Sequence, residues 1–195
     1  MRPISIAALI FATAIGLSAC VSITPAPAGD YKAGASTVSL GRTWSDMSSA
    51  MFGRTKQVRL LSIDGPLLNR LYIVDGLPVG GRMIRSPSKE RPSPAVRADM
   101  SPSERMEFVS DSVAAFDYQR VATERPRPAK LGGVDAIRFD LVAVTKDGLD
   151  IKGTAVVAET KNKLYLILYL APAEHYFDAT LNEVETIMQS VRIPA

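Results

Sequence analysis

Apolar residues follow three patterns along this chain. Ile4 to Leu17 is a largely apolar run, short β-rich runs recur between residues 37 and 171, and two stretches space their apolar residues three and four apart. The short runs predict strands at Thr37 to Trp44, Gln57 to Ile63, Leu67 to Val74, Val134 to Val144, Ile151 to Glu159 and Leu164 to Ala171. Asp64-Gly65-Pro66 predicts a hairpin between the second and third of these, with Pro66 at an edge or bulge, and Asp75-Gly76 with Gly80-Gly81 ends the third. Lys146-Asp147-Gly148-Leu149 and Lys161-Asn162 predict tight turns that join the last three strands into an antiparallel meander. In the final strand Leu164, Leu166, Leu168 and Leu170 share one face and Tyr165, Ile167 and Tyr169 the other. A strand apolar on both faces is expected to be central and covered on both sides.

Ser101-Pro102-Ser103-Glu104 is a capping box with proline at the first helical position. The helix it starts carries Met106, Val109, Val113 and Phe116 on one face. A second helix, from about Tyr176 to Val191, places Phe177, Leu181, Val184, Met188 and Val191 in a stripe suited to lie across a sheet. Ser45 to Gly53 predicts a helical turn. Arg85 to Asp99 and Arg120 to Lys130, basic and proline-containing without periodicity, read as surface connections. The order of elements predicts an α+β domain, an antiparallel sheet with helices packed on it.

The first apolar run has a different purpose. Arg2 supplies a positive start, and Ile4 to Leu17 is too short for a comfortable membrane span, which needs about 20 residues. The run closes on Leu17-Ser18-Ala19-Cys20, which resembles the lipobox of bacterial lipoproteins. That resemblance implies cleavage between Ala19 and Cys20, a diacylglyceryl thioether on Cys20, and often a further N-acyl chain. Two or three chains hold a protein stably on a bilayer, where one gives marginal binding. Val21, where an Asp retains such proteins at the inner membrane of Gram-negative cells, points to the periplasmic side of the outer membrane. The expected organisation is a signal peptide over 1–19, a lipidated cysteine and flexible tether over 20–36, rich in Ala, Pro and Gly, and a single domain over 37–195.

Charge and cysteine content narrow the chemistry. The formal charge of +3 loses one unit with Arg2, a bias too small to argue for nucleic acid. Cys20 is the only cysteine, so once acylated it leaves the domain with no disulfide, thiolate metal site or cysteine nucleophile. His175 is the only histidine, which excludes a multi-histidine metal centre. No G-x-S-x-G or phosphate-loop motif is present, and Asp64, Asp75, Asp147 and Asp150 sit in turn contexts that account for them. No cofactor is called for and no catalytic constellation stands out.

Residues that could bind a partner are the basic ones of the two connections, Arg82, Arg85, Lys89, Arg91 and Arg97 with Arg120, Arg125, Arg127 and Lys130. If the two segments meet, they offer a surface for anionic lipid, glycan or an acidic envelope protein. Trp44 is a binding anchor if exposed and a core residue if buried.

Residues Leu131 to Ile193 resemble the C-terminal half of the PsbP-like family. The resemblance rests on Gly132-Gly133 before a strand, Lys152-Gly153 opening the next, Leu164-Tyr165 to Ala171-Pro172, and a final helix closing on Ser190-Val191. Residues 38–84 fit loosely, and the proline-rich stretch at 85–99 departs from the pattern. The resemblance implies the fold and a non-catalytic role, since that family comprises accessory proteins, binding modules and small envelope lipoproteins; it transfers no functional residue. The expected function is therefore a lipid-anchored accessory or binding module of the cell envelope. A carrier of a small apolar or lipid ligand between sheet and helix is the second reading. An envelope hydrolase, requiring Ser and Asp side chains that converge on His175, is the third.

Overall fold

The computed structural model describes residues 23–51, 53–86 and 92–194. The lipobox with Cys20, and Lys89 and Arg91 of the first basic connection, lie outside the described residues. The strands are β1 (Thr24–Ala26), β2 (Gly29–Lys32), β3 (Thr37–Leu40), β4 (Trp44–Asp46), β5 (Val58–Ser62), β6 (Arg70–Pro78), β7 (Gln119–Leu131), β8 (Val134–Val144), β9 (Asp150–Thr160) and β10 (Lys163–Pro172). The helices are α1 (Pro102–Ala115) and α2 (Tyr176–Ser190). Eight strands form one antiparallel sheet in the order β1-β4-β5-β6-β10-β9-β8-β7, and β2 and β3 pair separately as a hairpin.

The two-faced strand β10 lies between β6 and β9. Its Leu164, Leu166, Leu168 and Leu170 pack into one core with Phe108, Val109 and Val113 of α1. Tyr165, Ile167 and Tyr169 pack into a second core with Phe177, Val184, Ile187 and Met188 of α2 and with Val38 and Leu40 of β3. The sheet is thus covered by α1 on one face, and by α2 and the β2–β3 hairpin on the other. Each fully buried Leu or Ile stabilises this arrangement by roughly 1.5–3 kcal/mol relative to exposure.

α1 begins as its sequence dictates. The Ser101 hydroxyl accepts from the Glu104 amide, and the Glu104 carboxylate accepts from the Ser101 amide. The bond from the Ser101 amide, foremost, together with the Ser101 side chain beside it, holds the Glu104 carboxyl below its usual range.

Three expectations change. The segment read as a tether is, from residue 23 on, part of the fold. β1 extends the sheet beyond β4, and Ala26 and Ala33 are buried at 2% and 1% exposure. Alanine and glycine bury little area, yet they let backbone approach closely, which pattern reading scores as linker. Gly34 shows this: its φ is +105°, and a Cβ there would sit 2.2 Å from the Asp75 carboxylate.

The second basic connection is instead the long edge strand β7. Pro126 and Pro128 are tolerated because an edge strand has no neighbour on its outer side to receive an N–H. Two register shifts, with Arg120 and Arg125 both at φ 49°, bend β7 and hid its alternation. Finally, β6 does not stop at Asp75-Gly76. It runs on to Pro78 through a bulge opposite Tyr165, with Gly76 at φ 66°.

Candidate functional site

A cleft opens where α1 ends. The Phe116 amide closes the helix on the Val113 carbonyl (3.0 Å), and Asp117, at φ 71°, turns the chain toward β7. This turn lays the Phe116 ring flat on Tyr72 of β6, with centroids 4.9 Å apart and planes within 8°. It also sets Tyr118 beneath the Arg70 guanidinium, 5.5 Å from the ring centroid. Arg70 donates to the Pro66 carbonyl as well, so one side chain ties the β5–β6 turn to the turn after α1.

The β5–β6 turn is held from inside by Asn69, which is 1% exposed. Its side-chain oxygen accepts from Ser62 Oγ and from the Ile63 amide, both at 2.8 Å, and its amide donates to Asp64 (2.7 Å). With Asn69 pointing inward, Leu67 is left outside at 79% exposure. The β8–β9 turn is similar. The Leu149 amide donates to the Thr145 hydroxyl (3.0 Å), Gly148 takes φ 86°, and Leu149 stands 44% exposed.

Leu67 and Leu149 line one cavity of about 390 Å³ together with Arg70, Phe116, Tyr118 and Ile151. A second, of about 370 Å³, is lined by Met47, Met51, Leu60, Tyr72 and Ile84 and shares Arg70, Phe116 and Asp117 with the first. Of the large apolar side chains exposed among the described residues, half border this cleft; the others are Ile23 and Val79. A Lys146–Asp117 ion pair (3.2 Å) crosses its rim. Burial pushes the Tyr72 hydroxyl up to about 12 and raises that of Tyr118, so both phenols are neutral over the physiological range beside a charged Arg70. The walls are mainly aromatic and aliphatic, with Arg70 and Asp117 at the junction of the two cavities and Thr145, Lys146 and Asp147 along one rim. That chemistry holds an apolar group and orients a polar one; it supplies no nucleophile and base in contact.

The residues singled out in the sequence are placed elsewhere. Trp44 is 1% exposed in the core beneath α2, so it is no surface anchor. His175 is exposed at the start of α2 with φ 65°, makes no capping bond, and meets the Tyr176 ring edge-on. Among the described residues no three His, Cys, Asp or Glu side chains group to hold a metal.

The two basic segments are attached to different strands. The first follows β6 and the second is β7, with β10, β9 and β8 between them in the sheet. At about 4.8 Å per strand spacing, that is roughly 19 Å. Arg97 pairs with Glu104 (2.9 Å), and Lys130 with Asp135 (2.5 Å). The bulge in β7 lets Arg125 (2.8 Å) and Arg127 (3.2 Å) both reach Asp140 on β8. Those arginines brace an edge strand. The cleft itself carried one sequence signal that was passed over, a leucine within or directly after a glycine-containing turn, at Leu67 and again at Leu149.

The expected ligand space between β10 and a helix is filled, because Leu164, Leu166 and Leu168 are 0% exposed. The two adjoining cavities described above open at the end of α1 instead.

No protein-family profile and no curated protein sequence matches the chain. Solved structures do. Cyanobacterial PsbP (CyanoP) from Synechocystis sp. PCC 6803 superposes with a TM-score of 0.53 at 13% identity, covering 92% of this chain and 96% of that one. The Ran-binding protein Mog1p of Saccharomyces cerevisiae gives 0.54 at 8% identity, covering 89% and 96%. LpqN of Mycobacterium tuberculosis, involved in cell envelope biogenesis, gives 0.39 at 12% identity over 89% and 92%, a likeness too loose to carry an argument. The α+β architecture is the PsbP-like fold, an antiparallel sheet with a helix on each face.

Proposed function

We propose that this protein is a non-catalytic binding module of the cell envelope, held to the membrane through acyl chains on Cys20, and that the cleft at the end of α1 receives its partner. The observation that carries this reading is the pair of exposed leucines, Leu67 and Leu149, bordering a cavity floored by Phe116 and Ile151. Full burial of a leucine is worth about 1.5–3 kcal/mol, of which Leu67, 79% exposed, forgoes most and Leu149, 44% exposed, rather less than half. Hot spots of protein interfaces have this form, an apolar anchor in a pocket with an arginine or aromatic beside it. The lipobox supports the envelope location, and the shared fold supports the architecture alone.

Whole-cell crosslinking followed by capture of the anchored protein tests the proposal. One envelope protein recovered at near-stoichiometric yield, and lost in a Leu67→Asp/Leu149→Asp variant that still folds, supports it. Recovery undiminished by the double substitution removes the cleft from the account. The second reading, a carrier of a small apolar ligand, uses the same two adjoining cavities. Lipid extracted with the wild-type protein and absent from the double variant, with no protein partner, favours that reading.

A further inference from the structure

We infer that the surface formed where residues 53–59 meet residues 82–86 lies on the bilayer and engages anionic phospholipid headgroups. The inference rests on acylation of Cys20 and names the membrane contact that follows from it. Only Val21, Ser22 and Ile23 separate Cys20 from β1, whose Thr24 lies opposite Asp46 of β4. At about 3.3 Å per extended residue, the lipid is attached within roughly 13 Å of Thr24. The domain therefore cannot stand off from the membrane as a sixteen-residue tether would permit. Some part of its surface near β1 must face the headgroups.

The backbone specifies which part. After Asp46 the chain makes a 3-10 turn, Ser48–Ala50, and Arg54 then bridges Ile84 in antiparallel fashion while the Arg85 amide donates to the Gly53 carbonyl (2.7 Å). The segment after β4 and the segment after β6 are thereby joined beside the anchor strand. Residues 53–63 and 77–86 contain Arg54, Lys56, Arg59, Arg82 and Arg85 and no acidic residue, in a chain whose overall charge is only +3. Lys56 and Arg85 are exposed, and Arg54 and Arg82 half-exposed. The acids that adjoin this surface are already engaged: Asp46 accepts from the Tyr31 hydroxyl (2.6 Å) and the Ser48 amide (2.8 Å), the Asp75 carboxylate takes Ser36 and Ala35, and Asp117 pairs with Lys146 (3.2 Å). Ile23, 54% exposed at the point where the chain leaves β1, adds an apolar contact for the interface. One-signed charge beside a lipid attachment point is the combination that holds a protein face on an anionic leaflet.

The test uses the acylated protein in vesicles of phosphatidylcholine, alone or mixed with phosphatidylglycerol. Cys20 is the only cysteine and its sulfur is taken by the thioether, so Lys56→Cys and Asp147→Cys variants each carry one fluorescent label. A headgroup-attached quencher reads their proximity to the bilayer. The Lys56 label should be quenched in the anionic vesicles and released by salt, and the Asp147 label, in the β8–β9 turn, should be quenched in neither. Each basic residue near such a surface strengthens docking about fivefold, equivalent to about 1 kcal/mol. Arg82→Glu/Arg85→Glu should then lower the docked population at least twenty-five-fold, and Arg82→Lys/Arg85→Lys should preserve it. Equal quenching at position 56 in neutral and anionic vesicles, or a double-Glu variant that docks like wild type, overturns the inference. The mass of the N-terminal peptide is read on the same sample. If Cys20 proves unacylated, the anchor reading fails separately, and loss of binding to anionic vesicles by the unanchored protein then overturns the headgroup contact as well.

Discussion

One carboxylate oxygen of Asp75 accepts hydrogen bonds from both the hydroxyl (2.5 Å) and the amide (3.0 Å) of Ser36, 39 positions away, and the other oxygen takes the Ala35 amide at 2.6 Å. This junction ties the N-terminal hairpin to the bulge in β6, and Ser36 is only 3% exposed. Asp75→Ala leaves buried donors unsatisfied, at a cost of about 1–3 kcal/mol. The expected result is a matching drop in the urea midpoint, together with new proteolytic cuts between residues 27 and 36. An unchanged stability would show that the hairpin is held by its apolar contacts alone.

Tyr72 gives the protein an alkaline limit. Its hydroxyl titrates near 10 in the unfolded chain and is pushed up to about 12 in the fold by burial. Below pH 10 both states hold the proton and the contribution is fully present; between about 10 and 12 the unfolded state alone loses it, so stability falls as pH rises. The loss is on the order of 2–3 kcal/mol. Burial raises Tyr31, Tyr118, Tyr165 and Tyr169 in the same direction. Tyrosinate absorbance should therefore lag above pH 10 and then rise together with unfolding, and Tyr72→Phe should flatten the stability slope in that window.

Gly153 sits in the middle of β9, where a Cβ would meet the Leu170 side chain at 2.6 Å and the Tyr169 carbonyl at 3.0 Å. Gly153→Val forces two central strands apart at a cost of about 1–3 kcal/mol, and more where the backbone cannot shift. Thermal denaturation measures it. A neutral outcome would mean that β9 and β10 accommodate the extra volume by sliding.

Leu67 and Leu149 behave differently from any core leucine if the cleft serves binding. Replacing Leu67, 79% exposed, with Ser should change folding stability by no more than about 0.5 kcal/mol, and replacing Leu149, 44% exposed, should cost about 1 kcal/mol. Capture of the partner should nonetheless fall by tenfold or more, the typical consequence of truncating an interface anchor worth about 2 kcal/mol.

The second half of the fold was plain from the sequence because its signals were local and strong. The capping box at Ser101 and Glu104, the stripe of α2, and the two-faced β10 each follow from neighbouring residues. What was hidden depended on distant partners. β1 is held by its pairing with β4, and β2 by Tyr31 donating to Asp46 (2.6 Å) and by Arg192 reaching Asp30 (2.6 Å), with Asp75 fastening the turn after it. β7 was hidden because its prolines signal a loop and only its place at the sheet edge makes them acceptable. The cleft was hidden for a third reason. Phe116 and Tyr118, Arg70, and Leu149 come from three separate turns or strand ends, and no periodicity links them.

Site-specific photo-crosslinking in living cells tests the central claim most directly. A photoreactive residue placed at Leu67, or at Leu149, should yield one discrete adduct with an envelope component. The same residue at Lys161, exposed in the β9–β10 turn at the opposite end of those strands from Leu149, should yield none. Adducts of equal yield at all three positions, or none at Leu67 and Leu149, would contradict a binding role for the cleft.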